Sequence, residues 1–293
     1  MPELFSDRTW LWISAAFYAG AFIWATIAML RSQARTRRGV MLGLIGAGLA
    51  IQTFGLHMRG MEAGGCPVRN TFEVVQFVIW SFTVLYLIVG PAFSLSLLGY
   101  FTSGLAAVMS VTSLLIARWD GAVGPPKFGG VPWIEVHASL ALFAYGAFGT
   151  LALTSLMFLL QTYSLKRKHL RGVFSFLPPI VALETINFRL LLTGLSVLSV
   201  SIVLGAIYFA KEPESIAATK LLVALAVWCA YCAVFFLRVR RLLVSVGLAW
   251  SCLALFGVAL YSIGVINSGM ARHPAPATGA VEYVHQPEDA EVS

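Results

Sequence analysis

Long apolar stretches constrain this chain more than any other feature. About eight of them, each close to 20 residues, lie near residues 9–30, 40–58, 71–91, 95–117, 134–163, 188–210, 220–237 and 242–266, and only short loops separate them. A helix rises about 1.5 Å per residue and the hydrocarbon layer is about 30 Å thick, so about 20 apolar residues carry a helix across. Of the 293 residues 59% are hydrophobic and 11% charged, against roughly 45–50% and 25% in an ordinary soluble domain. A soluble core cannot absorb that excess. The expected fold is all-α: a polytopic membrane helix bundle of about eight transmembrane helices, forming one domain over residues 1–270. A polar tail over residues 271–293, with Pro274, Pro276, Pro287 and several acids, is expected to be disordered. Glu3 and Asp7 outweigh Arg8 ahead of the first stretch, which is not the basic start of a cleaved signal, so that stretch is expected to remain in the mature protein.

The net charge of +7 is explained by its placement. Arg31, Arg35, Arg37 and Arg38 follow the first stretch; Lys166, Arg167, Lys168 and Arg171 follow the fifth, with Arg189 entering the sixth; Arg238, Arg240 and Arg241 follow the seventh. All fall on one side, with Glu184 as the only acid there. The positive-inside rule makes that side cytoplasmic and puts both termini outside. The expected location is the bacterial plasma membrane, multi-pass, with membrane lipid as partner and no nucleic acid.

The four cysteines fit no disulfide framework, since Cys66 lies in an outer loop and Cys229, Cys232 and Cys252 fall inside apolar stretches. Cys229 and Cys232 form a C-x-x-C that on a helix shares one face, open to a redox role or to plain packing as small apolar side chains.

Ionisable groups in or beside a bilayer are costly, so each is a candidate for function. His137 opens the fifth stretch within Trp133-Ile134-Glu135-Val136-His137, with Ala141 and Ala144 four and seven residues later on the same helical face. Small neighbours leave room for a flat ligand such as heme, and a neutral imidazole binds iron well. The alternative is an interfacial histidine hydrogen-bonded to Glu135 or to a loop carbonyl. A second heme ligand on the same side has two candidates, His57 at the outward end of the second stretch and His273 just past the eighth. His169 and His285 are expected to be solvated. In the turn 64–73, Pro67 breaks any continuing helix, Asn70 or Thr71 caps the next, and Glu73 complements its positive end.

With these residues in hand, the chain resembles the cytochrome c assembly family of membrane proteins, the group containing the CcsA and HemX-like proteins, over roughly residues 50–270. Pro67, Asn70, Phe72 and Glu73 resemble the family's Pro-x-x-Asn-x-Tyr-Glu turn. Val136-His137 with Tyr145, Gln161 and Leu165-Lys166 resembles its histidine-led helix ending in a basic loop. Leu177-Pro178, Leu183-Glu184, Asn187-Phe188-Arg189, Gly194 and Gly205-Ala206-Ile207 resemble its next loop and sixth helix. The resemblance implies heme handling on the outward side, either delivery to apocytochrome c or, in the HemX-like branch, an influence on tetrapyrrole synthesis. It implies His137 as iron ligand, and an apocytochrome c and a membrane assembly protein as partners.

The departures are specific. Where the family's heme-handling members carry a tryptophan-rich segment, residues 211–220 contain no tryptophan. The family's intramembrane histidine falls at about Phe236 and its second outward histidine near Ile266, which leaves His137 alone of the set. Two other readings follow: a non-catalytic membrane subunit that has lost heme ligation, and, less supported, a transporter, for which neither inverted repeats nor midplane charges are evident. Packing in lipid is expected to rest on small residues, namely Gly43, Gly46, Gly48, Ala144, Gly146, Gly257 and Gly264.

Overall fold

The computed structural model describes residues 6–30, 37–68, 70–92, 96–121, 132–167, 179–211 and 218–268. Eight α-helices follow one another: α1 (Asp7–Leu30), α2 (Arg37–Ala63), α3 (Thr71–Ala92), α4 (Ser96–Leu115), α5 (Pro132–Lys166), α6 (Ile180–Lys211), α7 (Ala218–Val239) and α8 (Ser245–Ser268). A single 3-10 turn, Ala117–Trp119, follows α4. All eight helices are long and apolar enough to cross a membrane, and no strand occurs among the described residues. The chain is a multi-pass membrane protein of the all-α class.

Local chemistry sets the helix ends. Asn70 caps α3, its Oδ1 accepting the Glu73 N–H at 2.8 Å, as one of the two expected caps does. Pro132 opens α5 at the first helical position, where a missing N–H costs nothing. The start of α6 differs from the expectation of residue 188. The Pro179 carbonyl accepts from Ala182 and Leu183, so the helix begins at Ile180 and takes Glu184, Asn187 and Arg189 into its first three turns. Arg189 therefore lies well inside α6 rather than at its entry. The polar residues that made this stretch read as a loop are accommodated at the membrane edge: Ser245 of α8 and Arg238 of α7 both donate to Glu184 Oε1, the serine at 2.7 Å.

These bonds and those at the other end make the helices alternate in direction. Arg8 at the start of α1 meets Asp120 beyond α4, while Glu135 at the start of α5 meets Cys66 between α2 and α3. One end of the bundle thus carries His137 and the other carries Arg238. α5 is the central helix, packed on α3, α6 and α8, most extensively on α6. α7 is the least buried, held by Trp228 donating to Ser199 Oγ of α6 (2.9 Å), by Tyr231 stacked on Phe148 of α5 (ring centres 3.7 Å apart) and by Arg238 on Glu184.

Close approach through glycine occurs at fewer of the expected positions. A Cβ on Gly146 would run into Ser81 and stand 3.0 Å from Phe82 N, so α5 and α3 touch backbone to backbone there. Gly48 is backed by Tyr18, and Ala144 is fully buried. Gly43, Gly46 and Gly257 face open space and drive no helix contact, and the side-chain surroundings of Gly264 lie outside the described residues. A stretch of glycines spaced three and two apart cannot all face one neighbour on a helix with 3.6 residues per turn.

The half built from α1 to α4 carries a buried polar chain. Tyr18 donates to Gln52 Oε1 (2.8 Å), Gln52 Nε2 to Gln76 Oε1 (2.8 Å), and Gln76 Nε2 to Ser113 Oγ (2.9 Å), linking four helices through side chains that are essentially inaccessible. Each amide buried in lipid demands such a partner, which fixes the relative rotation of the four helices.

Candidate functional site

The opening turns of α5 display side chains in two directions. Glu135 and Ser139, four residues apart, face the turn between α2 and α3. Glu135 Oε2 accepts the Cys66 N–H at 3.1 Å, Ser139 Oγ lies 3.2 Å from Cys66 Sγ, and Gly65 sits so close to the Glu135 carboxylate that no Cβ fits. Burial pushes the Cys66 thiol up from its usual range, aided by the negative charges of Glu135 and Glu73 and opposed by the Ser139 hydrogen bond. Gly64, at φ 65, makes the bend that brings this turn back onto α5.

His137, two residues from Glu135, points the other way, onto α6. Its Nδ1 is 2.6 Å from the Ser201 carbonyl oxygen. A carbonyl can only accept, so Nδ1 carries the proton, and in the neutral ring the lone pair resides on Nε2. The Ser201 hydroxyl donates to the His137 carbonyl at 2.9 Å and lies 3.1 Å from Nδ1. Gly205, one turn further along α6, lies against the ring: a Cβ there would stand 2.6 Å from Cε1. Among the described residues the ring is set by α6, and neither Glu135 nor a loop carbonyl bonds to it. Ala144, expected to leave room beside the imidazole, is packed at the helix interface instead, and Phe148 below it nests against Gly194.

This arrangement suits a metal ligand. A ring nitrogen bonded to a backbone carbonyl fixes tautomer and orientation and raises the basicity of the other nitrogen. Toward the same end of the bundle a shallow apolar groove of about 370 Å³, open to the surface and not reaching His137, runs between α7 and α8, lined by Val223, Ala226, Val227, Ala230, Leu255, Val258, Tyr261 and Ser262. Ser262 Oγ lies 3.2 Å from Tyr145 Oη, tying this wall to α5 two turns below His137. No group of three or more His, Cys, Asp or Glu side chains able to hold a metal ion occurs among the described residues. His57 is exposed on the side of α2 opposite Arg59 and is not brought against His137. His273 lies outside the described residues, as do His169 and His285. Cys229 and Cys232 are both free thiols on α7, the first exposed and the second half-buried.

Beside this turn is a cluster that the sequence reading missed. Arg59 of α2 pairs with Asp7 (2.8 Å) and Asp120 (2.6 Å), stands 3.8 Å from Glu73, and lies over the Phe72 ring at 4.6 Å. Arg8 pairs with Asp120 at 2.6 Å and donates to the Leu114 carbonyl, while Asn70 donates to Asp120 at 3.3 Å. Glu73 is completely buried and Asp120 nearly so. Glu73 therefore does more than complement a helix end: with Asn70 and Phe72 it belongs to a buried ionic knot joining α1, α2, α3 and the turn after α4. Arg59 and Glu73 carried the signal, each being ionisable at the edge of an apolar stretch.

Comparison with known proteins agrees with this layout. The family model described as Cytochrome C assembly protein matches residues 68–266. Protein HemX of Brevibacillus brevis is 28% identical over 205 residues, covering 69% of this chain and 74% of that protein. The cytochrome c biogenesis protein CcsA of Synechococcus sp. (strain JA-2-3B'a(2-13)) is 28% identical over 153 residues, 52% of this chain and 43% of its own. That of Trichormus variabilis is 30% identical over 122 residues, 41% and 34%. The chain thus spans less than half the length of these two CcsA relatives.

Proposed function

Because the chain belongs to the cytochrome C assembly protein family, with the role in cytochrome c biogenesis that membership supports, we propose that it handles heme at the His137 end of the bundle. The observation that carries this reading is the His137–Ser201 hydrogen bond, which commits Nδ1 as donor and leaves Nε2 as the basic nitrogen. In this reading His137 would be the residue that holds heme iron, through Nε2. Bound iron would supply the chromophore and the redox centre. The protein's own part is to orient the imidazole through Ser201 and Gly205. The turn 64–68 holds the start of α5 through Glu135 and Ser139. His57, exposed, and His273 are candidates for a second ligand.

The basic clusters at the Arg238 end favour a cytoplasmic position for that end, which puts His137 and both termini outside and suits a bacterial plasma membrane. Partners in this reading are an apocytochrome c and a membrane assembly protein. A second reading, a HemX-like regulator or a membrane subunit without heme, is favoured by the absence of tryptophan from residues 211–220.

Absorption spectroscopy separates the two. Protein purified from heme-replete cells, or titrated with hemin, is expected to show a Soret band that His137→Ala abolishes and that Gly205→Ala shifts or weakens, since the added methyl displaces the ring. A colourless preparation that takes up no hemin, or a band unchanged by His137→Ala, refutes heme handling through this residue.

A further inference from the structure

The turn between α7 and α8 ends α7 with a hydrogen-bond pattern that normally demands glycine. Leu242 N–H donates to the Leu237 carbonyl at 3.0 Å and Arg241 N–H to the Arg238 carbonyl at 3.0 Å. This is the Schellman closure, in which the residue after the C-cap adopts a left-handed conformation. Here that residue is Arg241, at φ 57, the only non-glycine residue with positive φ among the described residues. An arginine at this position carries a steric cost that glycine avoids. A strained residue kept against a cheaper alternative points to a use for its side chain.

The surroundings say what that use is. Arg238 is neutralised by Glu184, which also accepts from Ser245 and so braces both helices at the turn. Arg240 and Arg241 are exposed. Arg240 lies over the Phe236 ring at 5.0 Å, and the Arg241 guanidinium has no hydrogen-bond or ion-pair partner among the described residues. Leu242 and Val244, in the same turn, are 70% and 71% exposed. Two unneutralised guanidiniums beside two protruding aliphatic side chains, at the end of two membrane-spanning helices, match the boundary where lipid phosphates meet acyl chains. At the same end Arg167 also lies over an aromatic ring, that of Tyr163, at 5.3 Å. Water alone would leave the two aliphatic groups hydrated.

We propose that the α7–α8 turn binds the phosphate of an anionic phospholipid headgroup through Arg240 and Arg241, and that Arg241 occupies the left-handed position for this purpose. The proposal is independent of heme and of His137.

Thermal unfolding of the full chain in detergent, with phosphatidylglycerol, phosphatidylcholine or inorganic phosphate added, tests it. Wild-type protein is expected to gain more stability from phosphatidylglycerol than from either of the others. Arg241→Gly relieves the backbone, so it is expected to melt at or above the wild-type temperature in detergent alone yet bind phosphatidylglycerol about fivefold more weakly, the effect of one basic residue at an anionic surface. Arg240→Gln is expected to weaken lipid binding similarly without the gain in detergent. Equal stabilisation by phosphatidylcholine or inorganic phosphate overturns the proposal. So does an undiminished phosphatidylglycerol response in Arg241→Gly, or a lower melting temperature of that variant in detergent alone, which would assign Arg241 to the fold instead.

Discussion

Arg59→Met is the most informative single perturbation of this bundle. Methionine keeps much of the length and the apolar stem of the side chain and deletes its charge, leaving Asp7, Glu73 and Asp120 with Arg8 as their only cation in the knot. Arg59 makes two direct ion pairs, at 2.8 and 2.6 Å, to carboxylates that are 14% and 6% exposed, and its side chain is itself 10% exposed. Solvent-exposed ion pairs contribute only about 0–1 kcal/mol. Removing one partner of a buried pair costs more, about 3–5 kcal/mol, because the charges left behind are already stripped of water. At about 2 °C per kcal/mol, the variant should melt about 6–10 °C below wild type. The assay is the fraction of protein remaining monodisperse in detergent after heating. Removing a surplus carboxylate should return part of the loss, so Arg59→Met/Asp120→Asn is expected to melt above the single variant. A single variant within about 1 °C of wild type, or a double variant no more stable than the single, refutes the buried knot.

Two glycines make opposite predictions. Gly146→Ala is expected to destabilise by about 1–3 kcal/mol, since its methyl meets Ser81 and the Phe82 backbone. Gly46→Ala, facing open space, is expected to be neutral or to stabilise by up to about 1 kcal/mol, and equal melting temperatures for the two variants would refute the packing assignment. Burial and the neighbouring Glu135 hold the Cys66 thiol above its usual range. Maleimide labelling of the full chain should therefore be slow at neutral pH and keep accelerating above pH 9, the ordinary value of a thiol. Glu135→Gln removes a negative neighbour and should shift that rise to lower pH; a rate independent of pH would refute the assignment.

The bundle could be read from hydropathy because lipid imposes a length and a composition on every spanning helix. What hydropathy conceals is rotation about each helix axis. Gly43, Gly46 and Gly48 look equivalent in the sequence, yet only Gly48 meets a neighbouring helix, and Ala144 fills an interface where space was expected. The start of α6 escaped detection because Glu184, Asn187 and Arg189 lower the hydropathy of a segment whose acid is satisfied from α7 and α8. His137 was found by its chemistry, but its partner Ser201 lies 64 residues away in the chain, and no local pattern announces such a pairing. The same holds for Asp120, an acid in an unremarkable loop until Arg8 and Arg59 converge on it.

The hydrogen bond, ring stacks and ion pair that tie α7 to its neighbours, at Trp228, Tyr231, Phe235 and Arg238, lie in its middle and far end. Nearer its start, from Leu221 to Val227, the helix presents only aliphatic side chains. α7 is thus tethered by polar and aromatic ties at one end and greased by aliphatic packing at the other, so its outer part can be re-contoured by substitution without severing any of those ties.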